Sequence, residues 1–299
     1  MILYVLIKTY SLIAIGWFIG YISKKGKLIS TILARFLIWV LFPLSIMFSV
    51  SNATMSDFES SWVVVPLMLL MFICIGISWK YAKDMEKPQK GAIITTSAFS
   101  NILFIPLGIF GSLYPEYFSV LTFLAFILTI ISNILRAIVS VYYSPKTSSI
   151  WEVLGGTLKY PPMIAMIFGF ILWFSNIKLG PNSFFSGIKE LTTILGLMTV
   201  GTGVSTFKPN KNRIKHALFV ASLRLGLSPF IAFWIIMIIR PSPLESTFLI
   251  IEAGMPPAAL NVANARIFEM DTELAATTVL VSTLFLLMTL PVLLYLAPL

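Results

Sequence analysis

The sequence predicts an all-α polytopic membrane protein with ten transmembrane helices, arranged as a 5+5 inverted repeat in which helices 4 and 9 are broken. Three observations carry that reading. The chain of 299 residues is 58% hydrophobic and only 11% charged, whereas soluble chains are roughly half apolar and a quarter charged. Its basic residues fall in every second joint between apolar runs. Two apolar runs interrupted by proline and asparagine hold matching fourth places in successive sets of five.

A bilayer core calls for about 20 apolar residues per helix, and the charged or Pro/Gly-rich joints divide the chain at roughly 2–22, 28–50, 62–82, 91–113, 117–143, 151–175, 185–206, 214–239, 244–267 and 272–296. Almost nothing remains for a soluble domain. The first run, ILYVLIKTYSLIAIGWFIGYI, lacks a basic leader and a small-residue cleavage pattern, so it is read as the first span, not a removable signal peptide. The single cysteine, Cys74, lies inside an apolar run, which excludes an intrachain disulfide framework and makes it a small buried hydrophobe.

The formal charge of +9 does not imply nucleic acid, because the basic residues sit in short clusters between apolar runs and not on a soluble basic face. Thirteen follow the odd-numbered spans: Lys24, Lys25, Lys27, Lys80, Lys83, Lys87, Lys90, Lys146, Lys208, Lys211, Arg213, Lys215 and Arg266. Three follow the even-numbered spans: Lys178, Lys189 and Arg240. Basic residues mark cytoplasmic loops, so both termini are expected outside the cytoplasm, in a multi-pass protein of the cell (plasma or inner) membrane. The 24 phenylalanines and seven tryptophans are scattered over spans and interfaces, as lipid-facing helices and aromatic belts require.

The fourth span reads SAFSNILFIPLGIFGSLYPE and the ninth IEAGMPPAALNVANARIFEMD. Each break precedes a short acidic joint and a long uninterrupted helix. Five is an odd number, so units of residues 1–143 and 151–299 insert with opposite orientation, the inverted repeat of many secondary carriers. Breaking a helix in lipid frees backbone N–H and C=O groups, which is tolerable only where they face protein or a water-filled cavity. Pro43, Pro66, Pro161, Pro162, Pro229 and Pro291 are read as ordinary kinks, and Pro106 and Pro256–Pro257 as the functional breaks.

In SNILFIPLGI, in MPPAALNVANARIFEMDTELAA and in STLFLLMTLPVLL the chain resembles the auxin efflux carrier family of membrane transporters, which includes plant PIN-type carriers and prokaryotic relatives associated with organic acids such as malate and malonate. The resemblance implies a fold akin to that of bile acid/sodium symporters. It implies a scaffold of spans 1, 2, 6 and 7, a transport domain of spans 3–5 and 8–10, and crossing of spans four and nine at their breaks. It also implies a homodimer through the scaffold; small-residue faces in spans two and seven are what the sequence itself offers for one. The long hydrophilic loop of some plant members has no counterpart in the short joint SPKTSSI.

Ionisable side chains at mid-bilayer cost on the order of 3 kcal/mol and usually line a cavity or hold a partner. Glu252, one turn before Pro256, is the candidate ion-coupling residue: it either holds a cation together with freed carbonyls or exchanges a proton, since burial disfavours a charged carboxylate. Its alternative role is pairing with Arg224 or reaching an interface. Arg224 neutralises Glu252, contacts an anionic substrate bidentately, or snorkels to the cytoplasmic surface. Lys8, Arg35, Arg136 and Lys159 lie nearer span ends and are read as snorkelling.

Ser100, Asn101 and Asn261 are the first candidates for substrate contact, with Asn264, Pro106, Pro256, Pro257 and Arg224 completing the set. An asparagine amide both donates and accepts, and the half-helix N-termini at Ile105–Gly108 and Pro257–Leu260 offer free N–H groups to an anion. Helix–helix hydrogen bonding is the competing role for each asparagine. The Ser/Thr/Gly-rich ends MFSVSNAT and MTVGTGVST are read as packing surfaces, and His216 as interfacial. No phosphate loop, clustered Cys/His spacing or nucleophile elbow is present, so no catalytic residue, no metal site and no cofactor beyond a coupling Na⁺ or H⁺ is expected. The expected function is secondary transport of a small organic anion, auxin-like or dicarboxylate. A cation/proton exchanger using Glu252 is the runner-up, and an uncoupled channel or sensor the third reading.

Overall fold

A computed structural model describes residues 2–23, 25–145, 151, 155, 160–180, 183–207 and 209–298. Lys24, Lys146, Lys159 and Lys208, and most of the first ten residues of the expected sixth span, lie outside them. The described residues contain no strand, only helices and one isolated β-bridge. Six helices are long and apolar enough to cross a membrane: Ile2–Ile22 (α1), Gly26–Ser51 (α2), Met55–Tyr81 (α3), Phe118–Tyr143 (α6), Lys211–Ile239 (α9) and Thr272–Leu296 (α12). Shorter helices are Lys87–Ala98 (α4), Phe104–Leu113 (α5), Pro161–Phe174 (α7), Pro243–Ala253 (α10) and Leu260–Ile267 (α11). Ser183–Val204 (α8) is 22 residues long, but its Lys189, Glu190 and Thr/Gly content make it more polar than the six. Expected spans four and nine are therefore not kinked single helices. Each is two helices joined by extended backbone.

Proline shapes two of the long helices in the same way. A proline inside a helix has no N–H and clashes with the carbonyl four residues earlier. In α2 a π turn at Leu37–Leu41 precedes Phe42–Pro43, and in α9 a π turn at Leu223–Leu227 precedes Ser228–Pro229. The wider turn relieves the clash. In α9 the Leu223 carbonyl takes a side-chain hydrogen bond from Ser228 Oγ at 3.0 Å.

The helices fall into two compact units, each drawing on both halves of the sequence: Met1–Val64, Ile102–Ile130 and Gly155–Thr206 form the first, and Val65–Asn101, Ile131–Leu154 and Phe207–Leu299 the second. In the first, α8 packs on α1, α2 and α5. The α1–α8 contact is close because it is made by glycines: a Cβ on Gly201 would strike the Ile13 carbonyl, and one on Gly16 the Met198 carbonyl. The small residues of MTVGTGVST are thus packing surface inside this unit.

In the second unit α12 packs against α4, α9, α10 and α11. A buried cluster including Ile93, Ile94, Val220, Val262, Phe268 and Leu274 joins α4, α9, α11 and α12. Many large apolar side chains elsewhere face outward, among them Leu3, Trp39, Phe174, Met288 and Tyr295. Helices that are apolar on both their buried and their outer faces suit lipid as the surrounding solvent.

Candidate functional site

The α4–α5 and α10–α11 breaks place their freed backbone groups differently from a simple kink. After Ala98 the chain is extended at Phe99, whose φ and ψ are −104° and 99°. After Ala253 the segment Gly254–Ala259 leaves the helix. Within the second unit these two segments pair as an antiparallel bridge centred on Ser100 and Pro257. Asn101 N–H donates to the Pro256 carbonyl at 2.8 Å, and Ala258 N–H donates to the Phe99 carbonyl at 3.1 Å. Ser100 and Pro257 face each other as a non-hydrogen-bonded pair, the position where a proline's missing N–H loses nothing from the ladder. Pro256 contributes only its carbonyl. Each break therefore satisfies backbone groups of the other, as a low-dielectric surrounding requires.

Asn261 reinforces the pairing. It is fully buried, and its Nδ2 donates to the Phe99 carbonyl at 2.7 Å. A carbonyl acceptor needs a donor opposite, which fixes the amide orientation. The Asn261 Oδ1 is left without a hydrogen-bond partner.

Arg224 is 3% exposed, and so does not snorkel. From the π turn of α9 its Nε donates to the Met255 carbonyl at 3.2 Å, and its Nη2 to the Ala253 and Glu252 carbonyls at 3.4 and 3.5 Å. The guanidinium thus meets the negative C-terminal end of the α10 dipole. The fork edge that would grip a carboxylate side-on is turned to backbone. Glu252 is 1% exposed, and neither of its carboxylate oxygens has a hydrogen-bond partner. Arg224 hydrogen-bonds the Glu252 backbone carbonyl and not its carboxylate.

Gly254 follows α10 because a Cβ there would meet the Leu293 side chain of α12. Ser100 and Asn101 are buried, and Pro256 and Pro257 likewise. Asn264 is half-buried on α11, and its carbonyl accepts the Phe268 N–H that ends the helix. Pro106 lies in the first turn of α5, where a proline removes a donor the helix does not use. Its unit is the first, whereas Ser100, Asn101, Arg224, Glu252, Pro256, Pro257, Asn261 and Asn264 belong to the second.

Arg136 departs from its expected role. It is 4% exposed on α6, its Nη1 donates to Asn133 Oδ1 at 2.9 Å, and its guanidinium lies 5.3 Å from the Phe99 ring centroid. A buried cation over Phe99 supports the residue whose carbonyl receives both Ala258 and Asn261. The sequence signal was Asn133, three residues earlier and so on the same helical face. A cleft of about 510 Å³ lies elsewhere, in the first unit, lined by Ser51, Thr54, Trp173, Phe174, Asn176 and Lys178 among others.

Paired broken helices in an apolar helical chain, with a buried carboxylate at one break, are features that many membrane transport proteins share. The family of membrane transport proteins matches residues 2–294, and the chain belongs to it, the auxin efflux carrier family. It is therefore a multi-pass membrane protein of a transport family, not of an enzyme family. An uncharacterised transporter of Methanocaldococcus jannaschii is 24% identical over 287 residues, covering 89% of this chain and 91% of that protein. Another uncharacterised transporter, from Methanothermobacter thermautotrophicus, is 23% identical over 305 residues, covering 94% and 93%.

Proposed function

We propose that the chain is a secondary carrier of a small organic anion, working by alternating access with the paired breaks as its binding region. The observation that carries this reading is the reciprocal backbone pairing of Asn101 with Pro256 and of Ala258 with Phe99. Two breaks that satisfy each other hold extended backbone inside an apolar protein, and such backbone is where carriers place substrates and ions.

Ser100, Asn101, Asn261 and Asn264 supply neutral polar groups, and the positive end of the α11 dipole faces the same break. Glu252 is the ion-coupling residue, with H⁺ or Na⁺ as the ion. Spans 1, 2, 6 and 7 act as scaffold and homodimer contact, and spans 3–5 and 8–10 move substrate, ten spans in all as a 5+5 inverted repeat. Both termini lie outside the cytoplasm of the cell membrane, by the thirteen-to-three distribution of basic residues.

Flux into proteoliposomes, with a panel of mono- and dicarboxylates, with and without a Na⁺ or pH gradient, tests the proposal. Saturable uptake of one carboxylate that Glu252→Gln uncouples from its ion supports it. Cation exchange with no carboxylate transported would replace it by the exchanger reading, for which the unpartnered Glu252 carboxylate is the favouring observation.

A further inference from the structure

In broken-helix carriers, the unwound carbonyls and the C-terminal ends of half-helices are what coordinate Na⁺. A hard cation there needs several oxygens at short range. At the α10 break, the carbonyls of Glu252, Ala253 and Met255 are met instead by the Arg224 guanidinium, at 3.5, 3.4 and 3.2 Å. The arrangement is built and not incidental. Arg224 is 3% exposed, hydrogen-bonds backbone carbonyls and not the Glu252 carboxylate, and projects from the π turn that precedes Pro229 in α9.

We infer that Arg224 is a tethered cation, its guanidinium standing at the α10 carbonyls where a sodium ion would otherwise bind, so that this break takes no Na⁺. The inference rests on reading the breaks as the carrier's working region, and it narrows the ion that Glu252 serves. A second cation at these carbonyls would share its oxygen ligands with the Arg224 Nε–H and Nη2–H donors and meet a like charge in a water-poor site. The opposite break is closed in a related way, by the Asn261 amide on the Phe99 carbonyl. There the cap is neutral. The buried cation at that break, Arg136, lies over the Phe99 ring, whereas Arg224 meets the carbonyls beside Glu252.

The test is ion-specific thermal unfolding of the purified full-length protein in detergent, in NaCl against KCl and choline chloride at matched ionic strength. For the native chain the midpoints are expected to coincide within about 1 °C. Arg224→Ala frees the three carbonyls beside Glu252 and is expected to gain a saturable, Na⁺-specific rise of several degrees, the ordinary response to a ligand that binds only the folded state. Adding Glu252→Gln to Arg224→Ala should remove that rise.

A saturable Na⁺-specific shift in the native chain that Glu252→Gln abolishes would overturn the inference, and so would a folded Arg224→Ala with no Na⁺ response. Where Arg224→Ala does not fold, the native measurement decides alone. No transported substrate enters the readout, so a failure here is distinguishable from failure of the carrier reading, which is decided by flux.

Discussion

Asn101 and Pro256 are joined backbone to backbone at 2.8 Å, and Ala258 returns the bond to Phe99 at 3.1 Å. That register puts Pro257 where its missing N–H is harmless and Ala258 where its N–H is needed. Ala258→Pro should therefore destabilise the protein by about 1–3 kcal/mol, because it removes one of the two donors that meet the buried Phe99 carbonyl. Pro257→Ala should cost about 0.5–1 kcal/mol, through the greater freedom of the unfolded chain. Thermal unfolding in detergent measures both. Equal effects, or the reverse order, would mean the two breaks pair in another register.

Glu252 is buried with no partner for either carboxylate oxygen. Such a group weakens the fold unless something binds it. Glu252→Gln and Glu252→Leu should accordingly unfold at or above the native midpoint, while ion-coupled flux is lost. Stability is the discriminating measurement here. A drop of more than about 2 kcal/mol in Glu252→Gln would place Glu252 in the group of structural partners, as breaking a satisfied buried network does.

The Arg136 guanidinium lies over the Phe99 ring at 5.3 Å and donates to Asn133. A lysine in its place has neither the flat face nor the fork. Arg136→Lys should cost about 1–2 kcal/mol, from the guanidinium–ring contact and the hydrogen bond together. A snorkelling arginine replaced by lysine would change stability by no more than about 0.5 kcal/mol. The thermal midpoint separates the two, and Asn133→Ala should produce part of the same loss.

The breaks were legible in the sequence because proline and asparagine are anomalous in an apolar run, and their matching places made them a pair. Their pairing partners were not. Phe99 and Ala258 act through backbone atoms, which leave no trace in side-chain chemistry, and the register follows from which residue lacks an N–H. Arg224 and Arg136 show a second limit. Sequence position puts each some seven or more residues from a span end, within reach of snorkelling, and only the packing of α6 and α9 decides that both stay inside. The π turns at Leu37–Leu41 and Leu223–Leu227 were hidden for the same reason: proline announces a disturbance, but how the preceding turn absorbs it depends on what packs around it.

Asp271 serves three contacts at the start of α12. Its Oδ1 accepts the Leu274 N–H at 2.9 Å as the helix cap, its Oδ2 pairs with Arg213 Nη2 at 2.6 Å, and its own N–H donates to the Pro88 carbonyl at 3.2 Å. The side chains of the ion pair are 26% and 12% exposed. Water reaches both, so the pair itself should contribute no more than about 1 kcal/mol, and added salt should reduce it. The cap contributes about 0.5–2 kcal/mol. Asp271→Asn retains an amide oxygen for the cap and gives up the charge, and should be mildly destabilised, with a deficit that shrinks as salt rises. Asp271→Ala gives up both and should lose at least twice as much, with the larger part insensitive to salt. Unfolding midpoints of the two variants across ionic strengths measure this. If they were equally destabilised, the ion pair and not the cap would be what holds the start of α12 to α9.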